Sequence, residues 1–328
     1  MNQIVAGISM SHAPGIIGWP ETVAPAIRDR MFAAIRKIAD YLDQARPDVV
    51  VAFTDDHFEN IYRNLAPTFA IGVADSHQGP PDYFMAAMRF SAPWQIPGEP
   101  ELARALLENT VHAGFDVARM GSVDYGNNIM APWPLIRPQN DIPIIPVFIN
   151  AYNPPLPTME RAYVFGERIR TAIENAPGNR RVAILATGGL SHWPPIWLEH
   201  VREYHPMLRD YMQKAKRFQT EGRSVLKEYP DLMNEMAQCE QNMAKVMERP
   251  LVNPEWDLAF LDKIASGDSR AVRAMSYDEI EQGGGFGGHE VLNWAAAMGA
   301  MGGAKATVLN YEAVPEWICG MGYVVYDR

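Results

Sequence analysis

Three of the chain's eight histidines occupy the same kind of position. His12, His57 and His192 each follow a short apolar run, in segments rich in Gly, Pro, Ser or Asp: Ser11-His12-Ala13-Pro14-Gly15, Thr54-Asp55-Asp56-His57 and Gly188-Gly189-Leu190-Ser191-His192-Trp193. Imidazole is the commonest metal ligand and changes charge near neutral pH, so three that converge suit a metal centre or an acid/base site. Two histidines and a carboxylate with open positions make the facial triad of non-haem Fe(II) oxygenases. The same donors also hold Zn²⁺, which would activate water for hydrolysis. The carboxylates on offer are Asp55, Asp56, Glu59, Asp124, Glu255, Asp257 and Glu290, and spacing does not choose among them. Glu290 has a physical argument in its favour. It opens an apolar helix directly after a glycine-rich stretch (283–288), where backbone can approach a site and a helix N-terminus favours a carboxylate. Asp55 and Asp56 stand beside His57, placed either to orient its ring or to cap the turn in solvent.

Other motifs carry less. The glycine stretch lacks the Gly-Lys-Ser/Thr ending of a phosphate-binding loop and follows no strand, so it reads as a flexible loop before a helix. Gly189-Leu190-Ser191-His192-Trp193 lacks the second glycine of a nucleophile elbow. There is no Cys-x-x-Cys pair, and Cys239 and Cys319 read as two unpaired thiols. The 18 methionines and most aromatic residues read as core; Trp19, Trp193 and Trp197 lie near the candidate segments and read either as core or as walls of an aromatic pocket.

The elements that must position these residues alternate. Apolar runs at 4–9, 48–53, 68–73, 144–149 and 182–186 read as strands, and residues 24–45, 99–113 and 159–176 have helical spacing. Further helices are expected through about Ile264 and Met301, with two terminal strands at 306–310 and 321–326. This pattern predicts an α/β fold: a single domain with a central, mostly parallel or mixed sheet flanked by helices. Ligands of such sheets bind beyond the carboxyl ends of the strands, where the three histidines fall. Residues 203–250 have no strand signal and read as a helical insertion able to cover a site.

Composition sets limits on partners. With 29 Lys+Arg against 39 Asp+Glu the net charge is −10, which disfavours nucleic acid and anionic membranes. At 48% hydrophobic and 21% charged the chain reads as globular rather than disordered. No apolar stretch reaches membrane-spanning length and the N-terminus lacks a signal-peptide pattern, so the expected compartment is the cytoplasm.

The ordered set of motifs resembles the class III extradiol ring-cleavage dioxygenases, the family of the catalytic beta subunit of protocatechuate 4,5-dioxygenase. The resemblance rests on Gly7-Ile8-Ser9-Met10-Ser11-His12-Ala13-Pro14, Pro47-Asp48-Val49-Val50-Val51 leading to Asp56-His57, and Pro67-Thr68-Phe69-Ala70-Ile71-Gly72. It continues through Thr187-Gly188-Gly189-Leu190-Ser191-His192, Val252-Asn253-Pro254-Glu255-Trp256-Asp257 and Gly288-His289-Glu290-Val291-Leu292-Asn293-Trp294, in family order over nearly the whole chain. It implies Fe(II) held by His12, His57 and Glu290, with His192 as the acid/base that takes a proton from the substrate hydroxyl and later returns one. Glu255 and Asp257 fall in a motif of structural role, which leaves Glu255 a reserve ligand. The implied substrates are a catechol-type ring and O₂. The alternatives are a zinc hydrolase on the same scaffold, or a non-catalytic binding relative such as the signalling protein Memo.

Two departures from that subunit stand out. Its Asp-His-Gly becomes Asp124-Tyr125-Gly126 here, so Tyr125 is expected to meet a substrate hydroxyl or an oxygen intermediate, with Trp193 in the substrate pocket. The stretch after His192 is longer, and no segment resembles the small alpha subunit. The insertion, or a partner chain, is then expected to close the site. A homodimer is the default assembly.

Overall fold

An eight-stranded mixed sheet forms the centre of the computed structural model, which describes residues 1–194, 206–246 and 250–327. Its strands are β1 (Gln3–Met10), β2 (Val49–Thr54), β3 (Phe69–Gly72), β6 (Val117–Met120), β7 (Ile144–Ile149), β8 (Arg181–Thr187), β9 (Ala306–Val314) and β10 (Cys319–Tyr326). They lie in the order β6-β3-β7-β2-β8-β1-β10-β9. The central four, β7, β2, β8 and β1, run parallel. On one side β3 is antiparallel to β7, and on the other β10 and β9 are antiparallel. The α/β architecture read from the alternation is therefore the observed one, with a mixed sheet.

The four parallel strands are continuous apolar runs because helices cover both their faces. Along β2, Val50 and Ala52 belong to one core with Met31, Ile35, Ile38 and Leu42 of the Pro25–Ala45 helix. Val49, Val51 and Phe53 point the other way, into a core with Phe165 and Ile169 of the Met159–Asn175 helix and Trp294 of the Val291–Ala300 helix. Burying each such side chain contributes about 1.5–3 kcal/mol, enough to set the strand's register against both layers.

Three strands went unread. The hairpin β4 (Ser76–Gly79) and β5 (Trp94–Pro97) is short and polar, and β6 pairs only with β3 at the sheet edge. Such segments are held by their neighbours rather than by an apolar pattern.

Within 203–250 the described residues form helices Pro206–Glu221 and Leu232–Val246, joined by a 3₁₀ segment Gly222–Lys227. The expected start near Glu203 lies outside the described residues, as do Trp197, His200 and His205. Among the described residues no helix is long and apolar enough to cross a membrane. Both cysteines are free thiols.

Candidate active site and metal centre

The four parallel strands deliver their carboxyl ends to one edge of the sheet. Beyond Met10, Thr54, Ile149 and Thr187 follow His12, His57, Tyr152 and His192. Across from them the glycine-rich stretch leads into a 3₁₀ turn, Gly287–Glu290, continuous with the Val291–Ala300 helix.

Glu290 is the hub. It is 1% exposed, with Oε2 at 3.1 Å from His12 Nε2 and Oε1 at 3.2 Å from His57 Nε2. Tyr152 Oη donates to Oε1 and the Gly189 amide donates to Oε2. Asp55 Oδ2 lies 3.0 Å from the same His57 nitrogen. One donor atom from each of His12, Asp55, His57 and Glu290 falls within 4.8 Å of the others, a grouping able to hold a metal ion. Burial alone would raise the Glu290 carboxyl, but the His12 and His192 imidazoles outweigh it and hold the group well below its usual range. Burial likewise depresses His57, yet Asp55 and Glu290 carry it well above the ordinary histidine value. Both ring nitrogens of His12 are buried without a hydrogen bond among the described residues. A coordinated cation would satisfy Nε2, the nitrogen that faces Glu290.

His192 stands beside this group. Its Nδ1 faces the Leu190 carbonyl at 2.8 Å, and because a carbonyl only accepts, Nδ1 carries the proton. That leaves Nε2 basic, 3.5 Å from Glu290 Oε1 and 3.4 Å from Tyr152 Oη. Burial lowers the ring's proton affinity, and the Glu290 carboxylate more than offsets it.

The glycine stretch is not the flexible loop its composition suggested. The Tyr277–Gly284 helix runs into it, and Gly284 and Gly287–Glu290 are buried. The His192 amide donates to the Gly284 carbonyl and the Gly287 amide to the His192 carbonyl, at 2.8 and 3.2 Å. Glycine is required because the backbone lies against the His192 and Trp256 rings, leaving no room for a side chain. Asp257 clamps the same segment from behind, accepting from the Ser191 amide and hydroxyl and from Tyr311 Oη at 2.7, 2.8 and 2.6 Å.

A cleft of about 830 Å³, counting its open mouth, leads to His12, His57, His192 and Glu290. Tyr211, Phe218, Leu232 and Met236 of helices Pro206–Glu221 and Leu232–Val246 line it, as do Trp317 and Cys319. Tyr125 and Trp193 are not among its lining residues. The Tyr125 amide pairs with the Gln78 carbonyl, which draws the residue into the core, its ring 5.5 Å from His77. The residues just after it do reach the site: Asn127 donates to the His12 carbonyl and Asn128 to the Asp55 carbonyl. Trp193 lies over Gly285, and Trp19 packs in the core. Glu255 is exposed on the Pro254–Ser266 helix, away from the donor group. Asp56 binds the amides of Asn60 and Ile61 and so caps its own turn.

Sequence reasoning missed Tyr152. Its segment contains no histidine or acid, and the available signal was only that it follows a parallel strand into the same edge.

Residues 6–325 match the family of the catalytic LigB subunit of aromatic ring-opening dioxygenases. The chain belongs to this family. It is an extradiol ring-cleaving dioxygenase, an oxidoreductase that incorporates O₂, and dioxygenases of this family are metal-dependent. A 2,3-dihydroxyphenylpropionate/2,3-dihydroxicinnamic acid 1,2-dioxygenase of Cupriavidus necator is 33% identical to the dioxygenase over 316 residues, covering 94% of this chain and 90% of that protein. An enzyme of the same name from Rhodococcus jostii (strain RHA1) is 29% identical over 326 residues, 97% and 96% of the two chains. A solved structure of an uncharacterized Escherichia coli K12 protein, JW3007, aligns over 98% of the dioxygenase and 100% of its own chain at 14% identity, with a TM-score of 0.49.

Proposed function

We propose that the chain binds Fe(II) through His12, His57 and Glu290 and cleaves a vicinal aromatic diol at the ring bond next to the diol. The observation that carries this reading is the convergence of two imidazoles and a buried, ionised carboxylate at the floor of a cleft in a ring-opening dioxygenase. The donors are nitrogen and oxygen, and the buried His12 Nε2, facing Glu290 Oε2, fits a coordinated cation. When bound, Fe(II) supplies Lewis acidity toward the diol and a common site for diol and O₂.

The chain's own residues do the rest. His192 presents a basic Nε2 beside the donor group and takes the proton of a substrate hydroxyl there; as imidazolium it returns one during ring opening. Tyr152 holds Glu290 Oε1 and faces the same His192 nitrogen. Asp55 stands in the donor group, its Oδ2 beside His57 Nε2, and its Oδ1 is held by Asn293 Nδ2 at 2.8 Å. Helices Pro206–Glu221 and Leu232–Val246 roof the site and restrict water.

The test is anaerobic purification, loading with Fe(II), and O₂ uptake with a panel of catechols while a yellow ring-opened product is followed by absorbance. Uptake and colour with a vicinal diol, and none with Zn²⁺ in place of iron, are expected. Absence of uptake with every vicinal diol would overturn the reading.

A further inference from the structure

The cleft that leads to the donor group carries a further buried acid among apolar side chains. Above the donor group it is walled by Phe84, Phe218, Leu232, Met233 and Met236. Among the described residues that line it there is no lysine or arginine. It contains instead Glu240, on the Leu232–Val246 helix, 7% exposed. Its Oε2 is buried without a hydrogen-bond partner among the described residues. An unpaired carboxyl atom at that depth costs free energy unless a ligand completes it. Among the described residues, Arg223 is paired with Asp124 and stacks on Tyr83, and Arg63 donates to Gln219. Burial raises the Glu240 carboxyl, the His57 and His192 imidazoles pull it back, and it settles at about 7.

We propose that Glu240 is a specificity-determining residue: it receives a hydrogen-bond donor, a hydroxyl or an amine, at the end of an apolar arm on the substrate ring, and it rejects a carboxylate at that place. The inference rests on the extradiol reading above and adds the substrate class. A carboxylate-bearing arm, such as the propionate in the names of the Cupriavidus and Rhodococcus enzymes, would meet a buried carboxyl, and the described lining residues include no lysine or arginine to receive it. Above pH 7, where Glu240 is mostly ionised, like charges brought together in a low-dielectric site repel, and discrimination then comes from the disfavoured partner as much as from the favoured one. A donor-tipped arm instead satisfies the orphaned oxygen, and sites with a buried polar group reject ligands that leave it unpaired.

The experiment uses three catechols with three-carbon arms at ring position 3, ending in a hydroxyl, an amine or a carboxylate. Their dissociation constants for the Fe(II)-loaded enzyme are measured by calorimetry without oxygen at about pH 8.5, where Glu240 is ionised, and kcat/KM is measured with oxygen at the same pH. The wild-type enzyme is expected to favour the hydroxyl or amine arm over the carboxylate by about ten-fold or more in both readouts. Glu240→Gln is expected to shrink that ratio toward one, chiefly by tighter carboxylate binding. Equal or tighter wild-type binding of the carboxylate arm overturns the proposal, as does a ratio that Glu240→Gln leaves untouched. Since the wild-type ratio needs no variant, misfolding of the Gln enzyme does not protect the idea. If none of the three diols consumes O₂, the extradiol reading itself fails; if all are cleaved without the stated preference, only the role of Glu240 fails.

Discussion

Gly287 lies directly beneath the imidazole of His192, so closely that a Cβ there would overlap Cδ2 and Nε2 of the ring. The glycine stretch therefore acts as a platform that sets where the basic nitrogen points. Gly287→Ala is expected to displace the ring while leaving the metal donors in place. Iron content should remain at one per chain while kcat falls by about 10²-fold, the scale of an ångström of misplacement at a reacting centre. Iron analysis and O₂ uptake check it, and an Ala variant with full kcat would show that the platform is irrelevant to turnover.

His192 and His12 have different relations to Glu290. His12 meets Oε2 with buried, otherwise unsatisfied nitrogens, whereas His192 has its Nδ1 proton committed to Leu190 and stands 3.5 Å from Oε1. His192→Ala is expected to keep iron and lose about 10²–10⁴-fold in kcat, the usual contribution of a placed acid/base. His12→Ala is expected to lose iron. Metal analysis after gel filtration separates the two, and loss of iron from the His192 variant would exchange their roles.

Much of this arrangement was legible from residue types, for a physical reason. Parallel strands buried on both faces have to be continuous apolar runs, and whatever follows them shares one edge; His12, His57 and His192 could be placed together on that ground alone. Tyr152 follows β7 by the same rule, but nothing in Asn150-Ala151-Tyr152-Asn153 has the chemistry of a ligand, so it drew no attention. The glycine stretch misled because local composition reports freedom of the isolated chain. Its rigidity comes from His192 and Trp256, which are far away in sequence and pack onto it. Tyr125 is buried and does not line the cleft. Its neighbours Asn127 and Asn128 support the site while its own ring turns into the core against His77.

Asn293 connects two of the strand ends through one amide. Its Nδ2 donates to Asp55 Oδ1 at 2.8 Å and to the Thr187 carbonyl at 2.9 Å, and Asp55 Oδ2 in turn faces His57 Nε2 at 3.0 Å. Asn293→Ala removes this brace without touching a proposed ligand. Iron affinity is expected to fall by about 10–100-fold, the usual effect of losing a partner that orients a ligand. Competition with a chelator measures it, and unchanged affinity would mean that Asp55 needs no support.

Asp257 clamps the segment that carries His192, and its burial is costly when it is charged. Burial outweighs its bonds from Tyr311 and Ser191 and raises its carboxyl to about 6. An unfolded aspartate titrates near 3.9. Between these values the folded chain holds a proton that the unfolded chain has released, so the contribution to stability is smallest above pH 6 and grows as pH falls toward 4. Over that whole interval the gain amounts to roughly 3 kcal/mol. Asp257→Asn has no such group to titrate. In metal-free protein, urea unfolding of wild type and Asp257→Asn should therefore show a stability difference that moves in favour of the wild type as the pH is lowered from 7 to 4.5. A constant difference across that range would show that Asp257 titrates normally and that the clamp stays charged.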